Sequence, residues 1–145
     1  MLATDLVVAS RSARFGIPEV KRGLVADGGG LLRLHKRIPY QKALELALTG
    51  ESFTAEQAEE WGFVNVVTEP GEALAGAIEL AERITANGPL AVATTKEVLS
   101  KSIDWTEDEM WKKQLEYIIP IFSSNDAKEG AIAFAEKRAP HWTGT

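Results

Sequence analysis

Consecutive apolar residues occur in short runs at the start of the chain, whereas most of the remaining sequence repeats at helical spacing. The run Leu6–Ala9 predicts a short buried strand over residues 5–10, and Arg14 with Phe15 predicts a second, very short one. A compact β-rich run covers residues 64–68. These β segments are too few and too short to make a complete sheet. We therefore expect residues from another chain, or residues outside this sequence, to complete it.

The helical pattern is broken by recognisable start and stop residues. Thr54 with Gln57 and Thr106 with Glu109 have the spacing of capping boxes, and Gly50 is a helix stop. Pro120 is expected to kink or shorten the helix that contains it. The predicted helices begin near residue 31 and cover residues 40–49, 55–62, 72–87, 89–102, 107–122 and 126–138.

Two of the predicted helices carry apolar stripes. One stripe is formed by Leu74, Ile78, Ala81 and Ile84, and the other by Trp111, Leu115, Ile118 and Phe122. A chain of this size does not need faces of this width to build its own core. The stripes therefore predict that part of the fold comes from another chain or from residues outside this sequence, and the Trp111 stripe fits core packing or an oligomer contact better than a ligand site.

Composition narrows the functional classes. The chain has 145 residues, 45% of them hydrophobic and 26% charged, which fits one globular domain. A net charge of −5 argues against nucleic-acid binding as the main role. No apolar run reaches the roughly 20 residues of a membrane helix, so no membrane association is expected. The absence of cysteine excludes disulfides and thiol catalysis, and the first residues lack a secretory pattern, so a cytoplasmic location is expected.

One segment departs from the acidic average. Residues 21–37 contain five Lys or Arg residues and one acid, Asp27. Such a segment is typical of a solvated helix face, and it is also able to attract an anionic ligand. The run Gly28–Gly30 leaves a similar choice, between close packing of a loop on a helix and anion binding at a helix start.

Candidate chemistry centres on Glu19. Pro18 restricts the backbone in front of this carboxyl group, and Gly16 and Gly23 flank the segment. A carboxyl group held in this way is a plausible acid or base, although a solvated surface residue is the commoner case. His35 and His141 have the spacing of neither a metal site nor a catalytic triad, so no metal is expected.

The order of short motifs resembles that of the crotonase (enoyl-CoA hydratase/isomerase) superfamily, and specifically its C-terminal half. The motifs that carry this resemblance are residues 3–10, 13–24, 28–34, 47–50, 55–58, 62–65, 86–91, 124–130 and 134–140. The resemblance implies an α/β fold in which residues 1–70 are the C-terminal part of a β-β-α spiral core. Residues 71–145 would form a helical trimerisation region.

The resemblance also implies an activity on acyl-CoA thioesters, with coenzyme A as part of the substrate and no separate cofactor. The expected reaction is hydration of a 2-enoyl double bond through an enolate. The alternatives are an enoyl-CoA isomerase and a truncated, non-catalytic chain that only oligomerises. The expected partners are the acyl-CoA substrate and further copies of the chain, in a trimer or hexamer.

Carried over residue by residue, the resemblance implies an incomplete site. Glu19 matches the glutamate that transfers the α-carbon proton, and Gly16, Ile17 and Pro18 are expected to bind substrate. Lys137 matches a position that reaches coenzyme A phosphate from a neighbouring subunit. The water-activating glutamate and the oxyanion amides would precede Met1. Asp27 stands where many relatives have a different glycine-rich pattern, which affects the expected shape of the acyl pocket.

Overall fold

The computed structural model describes all 145 residues, Met1–Thr145, and shows two compact units, Met1–Leu80 and Ala81–Thr145. The strands are β1 Val8–Ser10, β2 Arg14–Gly16, β3 Ser52–Thr54 and β4 Val66–Thr68. The helices are α1 Gly30–Leu34, α2 Tyr40–Thr49, α3 Ala55–Glu60, α4 Ala73–Thr85, α5 Pro89–Ser102, α6 Glu107–Phe122 and α7 Asn125–Glu136. The mixed α/β class is confirmed, and the β content lies entirely in the first unit.

The strands form two separate sheets of two strands each. β1 lies parallel to β4, with Val8 opposite Val66, and β2 lies antiparallel to β3, with Phe15 opposite Phe53. The first predicted strand is shorter than expected, because the regular pairing begins only at Val8. Each sheet leaves outer edges without a partner strand in the chain.

The core of the first unit is built around aromatic rings. Phe15 lies 5.5 Å from both Phe53 and Phe63, and Phe53 lies 5.3 Å from Trp61, as measured between ring centroids. The capping box at Thr54 is present and starts α3, so that Ala58 is fully buried beneath these rings. Burial of these rings stabilises the first unit.

Helix α2 begins and ends where the pattern predicts. It ends at Gly50, which adopts a left-handed conformation with φ of 64°. A Cβ atom there would come within 3.0–3.1 Å of Lys21 and Val20, so both the conformation and the close approach require glycine. The buried positions of α2 are Ala43 and Leu46.

In the second unit, helix α6 has the predicted bounds, residues 107–122, although it contains Pro120. Helix α6 is not shortened by Pro120 but continues to Phe122. The proline lies in the last turn, so its missing N–H removes one backbone hydrogen bond and only two helical residues follow it. Lys101 of α5 ties this helix in place, since its ammonium group donates to Glu97 and to the Tyr117 hydroxyl.

The last seven residues fold back onto α7. The buried Asp126 carboxylate accepts hydrogen bonds from the Thr143 backbone N–H and hydroxyl and from the Gly144 N–H. The backbone N–H of Thr143, followed by that of Gly144, holds the pKa of Asp126 below its ordinary value. Trp142 donates its indole N–H to the Ala86 carbonyl at 2.8 Å.

A second carboxylate holds the same C-terminal segment. Both oxygens of Glu129 accept from the Arg138 guanidinium, at 2.6 and 3.0 Å, and one also accepts from the His141 N–H at 2.7 Å. Hydrogen bonding to Arg138, and then to His141, lowers the pKa of Glu129 to about 2. No sequence signal marked this segment as ordered.

The apolar stripes are largely exposed. On α4, Leu74 is 73% exposed, and on α6, Trp111 is 69% and Phe122 75% exposed. The boundary between the two compact units falls within α4, between Leu80 and Ala81. The boundary expected from the sequence lies earlier in the chain, after residue 70. The assignment of residues 71–145 to trimerisation stays a prediction.

Candidate functional site

Glu19 opens a single turn of 3₁₀ helix, Glu19–Arg22, between Pro18 and Gly23. The Pro18 carbonyl accepts from the Lys21 N–H, and the Glu19 carbonyl accepts from the Leu24 N–H, each at 3.1 Å. Gly23 closes the turn in a left-handed conformation with φ of 69°. The loop expected from the sequence is therefore a hydrogen-bonded turn, which fixes the backbone of Glu19.

The side chain of Glu19 is exceptional among the buried polar groups. Its Oε2 atom is shielded from solvent and has no hydrogen-bond partner, and no other buried side-chain nitrogen or oxygen is in that position. An unpartnered buried oxygen is unfavourable by about 1–3 kcal/mol. Native structures contain few buried polar atoms without a hydrogen-bond partner, and a catalytic role is one explanation for those that occur.

A cavity of about 470 Å³ opens beside this turn in the first unit. Its lining residues are Met1, Leu2, Ala3, Arg14, Phe15, Gly16, Ile17, Gly28, Gly29, Gly30, Arg33, Leu34, Phe53 and Phe63. Of the residues expected to bind substrate, Gly16 and Ile17 lie in the wall, whereas Pro18 and Glu19 do not line the cavity. The volume lies within the range of small-molecule sites.

The cavity combines an apolar interior with two cations. Phe15, Phe53 and Phe63 supply aromatic surface, and Arg14 and Arg33 are exposed guanidinium groups in the lining. Neither the phenylalanines nor Arg14 had a pattern in the sequence that predicts a site residue. Phe15 and Phe53 are 38 positions apart in sequence and meet only through the pairing of β2 with β3.

The three glycines of the run differ in their surroundings, since a Cβ atom on Gly28 would meet nothing within 4 Å. Gly29 has φ of 82°, and a Cβ atom on it would collide with the Arg33 guanidinium. A Cβ atom on Gly30 would lie 3.3 Å from Ile17 Cδ1, against the wall of the cavity. Helix α1 has only five residues, so its N-terminus is too short to act as an anion site.

The basic segment is not a uniform solvated face. Arg37 donates to the Thr4 carbonyl at 2.6 Å and Arg33 lines the cavity, so two of its five cations have structural positions. His35 lies against Leu31, whose carbonyl is 3.1 Å from His35 Nδ1.

Lys137 belongs to the second unit and has an unusual backbone. It ends α7 in the left-handed region with φ of 55°, and no other non-glycine residue of the chain has a positive φ. Its side chain is exposed, while the neighbouring Arg138 is held by Glu129 and Glu136. A lysine in this conformation is less stable than a glycine would be.

The chain has neither a cluster of potential metal ligands nor a helix suited to span a membrane. No group of three or more His, Cys, Asp or Glu side chains is placed to hold a metal ion. None of the helices combines the length and the apolar character that a membrane span requires.

Comparison with known proteins gives consistent matches along the whole chain. The family model described as enoyl-CoA hydratase/isomerase matches residues 1–145. The enoyl-CoA hydratase EchA19 of Mycobacterium tuberculosis is 46% identical over 139 residues, which are 96% of this chain and 52% of that protein. The carnitinyl-CoA dehydratase of Proteus mirabilis is 40% identical over 147 residues, covering 99% of this chain and 56% of that protein.

Solved structures agree with these sequence matches. An enoyl-CoA hydratase from Mycobacterium tuberculosis H37Rv is 64% identical and superposes with a TM-score of 0.95, covering 99% of this chain and 57% of that one. The enoyl-CoA hydratase EchA1 of Mycobacterium marinum is 65% identical, with the same TM-score and coverage. The chain therefore spans little more than half the length of the relatives it matches.

Proposed function

Because the chain belongs to the enoyl-CoA hydratase/isomerase family, we propose that the protein acts as an enoyl-CoA hydratase-type lyase on acyl-CoA thioesters. The reaction adds water across the 2-enoyl double bond by way of an enolate. The π bond and one O–H bond of water break: the hydroxyl group bonds to the β-carbon, water's proton passes to the water-activating glutamate that the family resemblance implies, and a proton bonds to the α-carbon. The proposal rests on family membership and on one structural observation, the unpartnered Oε2 atom of Glu19.

Glu19 is proposed to transfer the proton at the α-carbon. The 3₁₀ turn fixes the backbone of Glu19. The turn begins two residues after Ile17, and Ile17 itself lies in the wall of the cavity. The Oε2 atom makes no hydrogen bond within the chain, so its capacity to accept or donate a proton is not used by the protein itself. In the hydration direction Glu19 gives its proton to the enolate carbon and becomes a carboxylate. In the reverse direction it takes that proton back.

The remaining catalytic groups have no assigned residues in this chain. The family resemblance implies two oxyanion amides and a water-activating glutamate, for which none of the 145 residues is a matched candidate. Preorganised amide donors would stabilise the enolate oxygen. The proposal thus gives this chain the proton transfer at the α-carbon and part of the cavity wall.

Substrate binding completes the proposal. Coenzyme A is part of the substrate, and no separate cofactor takes part. The acyl group is positioned by Gly16, Ile17 and Pro18. The exposed Lys137 of one subunit contacts the phosphate of a coenzyme A molecule that is bound in the neighbouring subunit. A cytoplasmic location is proposed together with this metabolic role.

The exposed helix faces support a homo-oligomer, either a trimer or a hexamer. Trp111, Leu115 and Phe122 are 69%, 49% and 75% exposed and lie along one face of α6. Exposed apolar surface of this kind is typical of protein interfaces. In this proposal residues 71–145 form the trimerisation region, and residues 1–70 carry the remnant of the spiral core.

A second candidate is a non-catalytic chain that only oligomerises. It is favoured by the same exposed face of α6. This candidate predicts a multimer in light scattering and no detectable hydration. A monomer that turns over substrate would exclude it.

Turnover of a short trans-2-enoyl-CoA tests the catalytic proposal. The rate is followed by loss of the enoyl absorbance for the chain, for Glu19→Gln and for Glu51→Gln, a control at an exposed acid. Loss of a general acid–base group lowers the rate about 10²–10⁴-fold, so only Glu19→Gln is expected to fall by that factor. Equal rates for the chain and Glu19→Gln would reject the role of Glu19.

A further inference from the structure

One lysine stands out among the left-handed residues of the chain. Six glycines have a positive φ, whereas Lys137 is the only residue with a side chain in that region, with φ of 55°. A Cβ atom makes this conformation unfavourable, and glycine is the usual residue where a helix ends in this way. Strained backbone is concentrated at ligand-binding positions and persists only where the surrounding contacts impose it.

The contacts that impose this conformation converge on Glu129, about two turns back along α7. Both of its carboxylate oxygens accept hydrogen bonds from the Arg138 guanidinium, at 2.6 and 3.0 Å. The Oε1 atom also accepts from the His141 backbone N–H at 2.7 Å. Because Arg138 follows Lys137 directly, Glu129 fixes the chain immediately after the left-handed residue, and helix α7 fixes it before.

The pairing of Glu129 with Arg138 is partly shielded from solvent. Their side chains are 23% and 41% exposed, and two parallel hydrogen bonds fix the orientation of both groups more tightly than one contact would. The Trp142 ring packs on the same helix, since a Cβ atom on Gly130 would lie 3.3 Å from it. A right-handed conformation at Lys137 would redirect the following residues and break these contacts.

These contacts leave the ammonium group of Lys137 available. The side chain is exposed and forms neither a hydrogen bond nor an ion pair within the chain. The adjacent cation, Arg138, is occupied by Glu129 and Glu136. Of these two neighbouring cations, Lys137 is therefore the one that can bind an external anion, and an ammonium group is a compact charge that suits a phosphate.

We infer that Glu129 is a positioning residue for substrate binding that acts through Lys137. By holding Arg138 and His141, it keeps the backbone of Lys137 left-handed and directs the ammonium group toward the coenzyme A phosphate. The identity of this ligand rests on the proposed function, whereas the constraint on the backbone rests on the contacts of Glu129. The expected effect of Glu129 is on the affinity for coenzyme A and not on the proton transfer at Glu19.

A double-mutant cycle on the Tm tests the backbone constraint. Lys137→Gly is expected to raise the Tm of the parent chain by about 3 °C, because glycine adopts a positive φ without strain. In Glu129→Gln the two-point pairing is lost, so the left-handed conformation is no longer imposed and Lys137→Gly should not raise the Tm. Glu82→Gln, a control at an exposed acid of the same unit, should leave the rise unchanged. An equal rise in the parent and in Glu129→Gln overturns the inference.

Calorimetry with coenzyme A tests the effect on the ligand. Lys137→Ala and Glu129→Gln are each expected to weaken binding about tenfold, and the double variant should be no weaker than Lys137→Ala alone. Arg138→Lys keeps the charge but loses the planar two-point contact, so it should behave as Glu129→Gln does. Glu82→Gln should bind as the parent does. Additive losses in the double variant would show that Glu129 acts independently of Lys137 and would overturn the inference.

The two measurements separate this inference from the proposed function. If the Tm rise is lost in Glu129→Gln but Lys137→Ala binds coenzyme A normally, the backbone constraint is supported and the phosphate contact is rejected. If the parent chain does not bind coenzyme A, the result counts against the proposed function, and the Tm cycle still decides the constraint. An unchanged Tm rise in Glu129→Gln rejects the constraint even where Lys137→Ala binds coenzyme A weakly.

Discussion

Replacing Glu19 by methionine is expected to stabilise the protein while it removes activity. Oε2 of Glu19 is buried without a hydrogen-bond partner, and such an atom costs about 1–3 kcal/mol. Because the residue as a whole is only half-buried, the lower end of that range applies. Methionine has a similar length and a flexible apolar chain that adapts to the same space.

The free energy of unfolding of Glu19→Met is therefore expected to rise by about 1 kcal/mol. For a chain of this size that corresponds to about 3 °C in Tm. Urea denaturation followed by tryptophan fluorescence measures the change, with turnover of enoyl-CoA measured on the same preparations. Opposite signs for stability and activity are characteristic of a residue kept for function.

Two controls make the result interpretable. Glu19→Gln retains a polar atom at the buried position, so its stability should stay within about 0.5 kcal/mol of the parent chain. Glu51→Met makes the same replacement at an exposed acid, where no unpartnered buried oxygen is removed. If Glu19→Met is less stable than both the parent and Glu51→Met, the reasoning from the unpartnered oxygen is refuted.

Three further results are expected. The folded-state pKa of Glu129 is about 2, below its ordinary value of 4.5. The stabilising effect of this carboxylate is therefore complete above pH 4.5 and is lost as the pH falls toward 2. The Tm of the chain should drop over that pH window, and the drop should be smaller in Glu129→Gln. Lys137→Gly should raise the free energy of unfolding by about 1 kcal/mol, because glycine adopts the left-handed conformation at this position without the steric strain of a Cβ atom. Lys137→Ala should not raise it. Both variants should weaken the binding of coenzyme A, as measured by calorimetry. The Phe53 ring is 3% exposed and contacts three other rings. Phe53→Ala should therefore lower the free energy of unfolding, measured by urea denaturation, by about 3–5 kcal/mol. A decrease below about 1 kcal/mol would contradict the assignment of this ring to the core.

Local signals in the sequence predicted most of the helices. Helix α5 has the predicted bounds, and the capping box at Thr54 starts α3 as expected. Such signals involve residues only three or four positions apart, so they can be recognised without knowledge of the fold. Pro120 is the exception, because its position in the last turn of α6 decided its effect.

The candidate site was predictable only in part. The motif around Pro18 and Glu19 pointed to a constrained carboxyl group, and the family match along residues 1–145 confirmed the resemblance that drew attention to it. The role of Glu19 stays a prediction, as do those of Gly16, Ile17, Pro18 and Lys137. Of the two cations in the cavity lining, Arg33 belongs to the basic segment that the sequence marked, whereas Arg14 and the aromatic rings had no sequence signal as site residues.

The sequence by itself determined the helix positions, the family and the identity of the constrained glutamate, because these depend on short-range spacing and motif order. Only the tertiary structure decided that Glu19 Oε2 is buried without a partner and that Phe15 meets Phe53 across a sheet. It also decided that the final residues are fastened to Asp126 and Glu129. These features depend on contacts between residues far apart in the chain, which a periodic pattern does not specify.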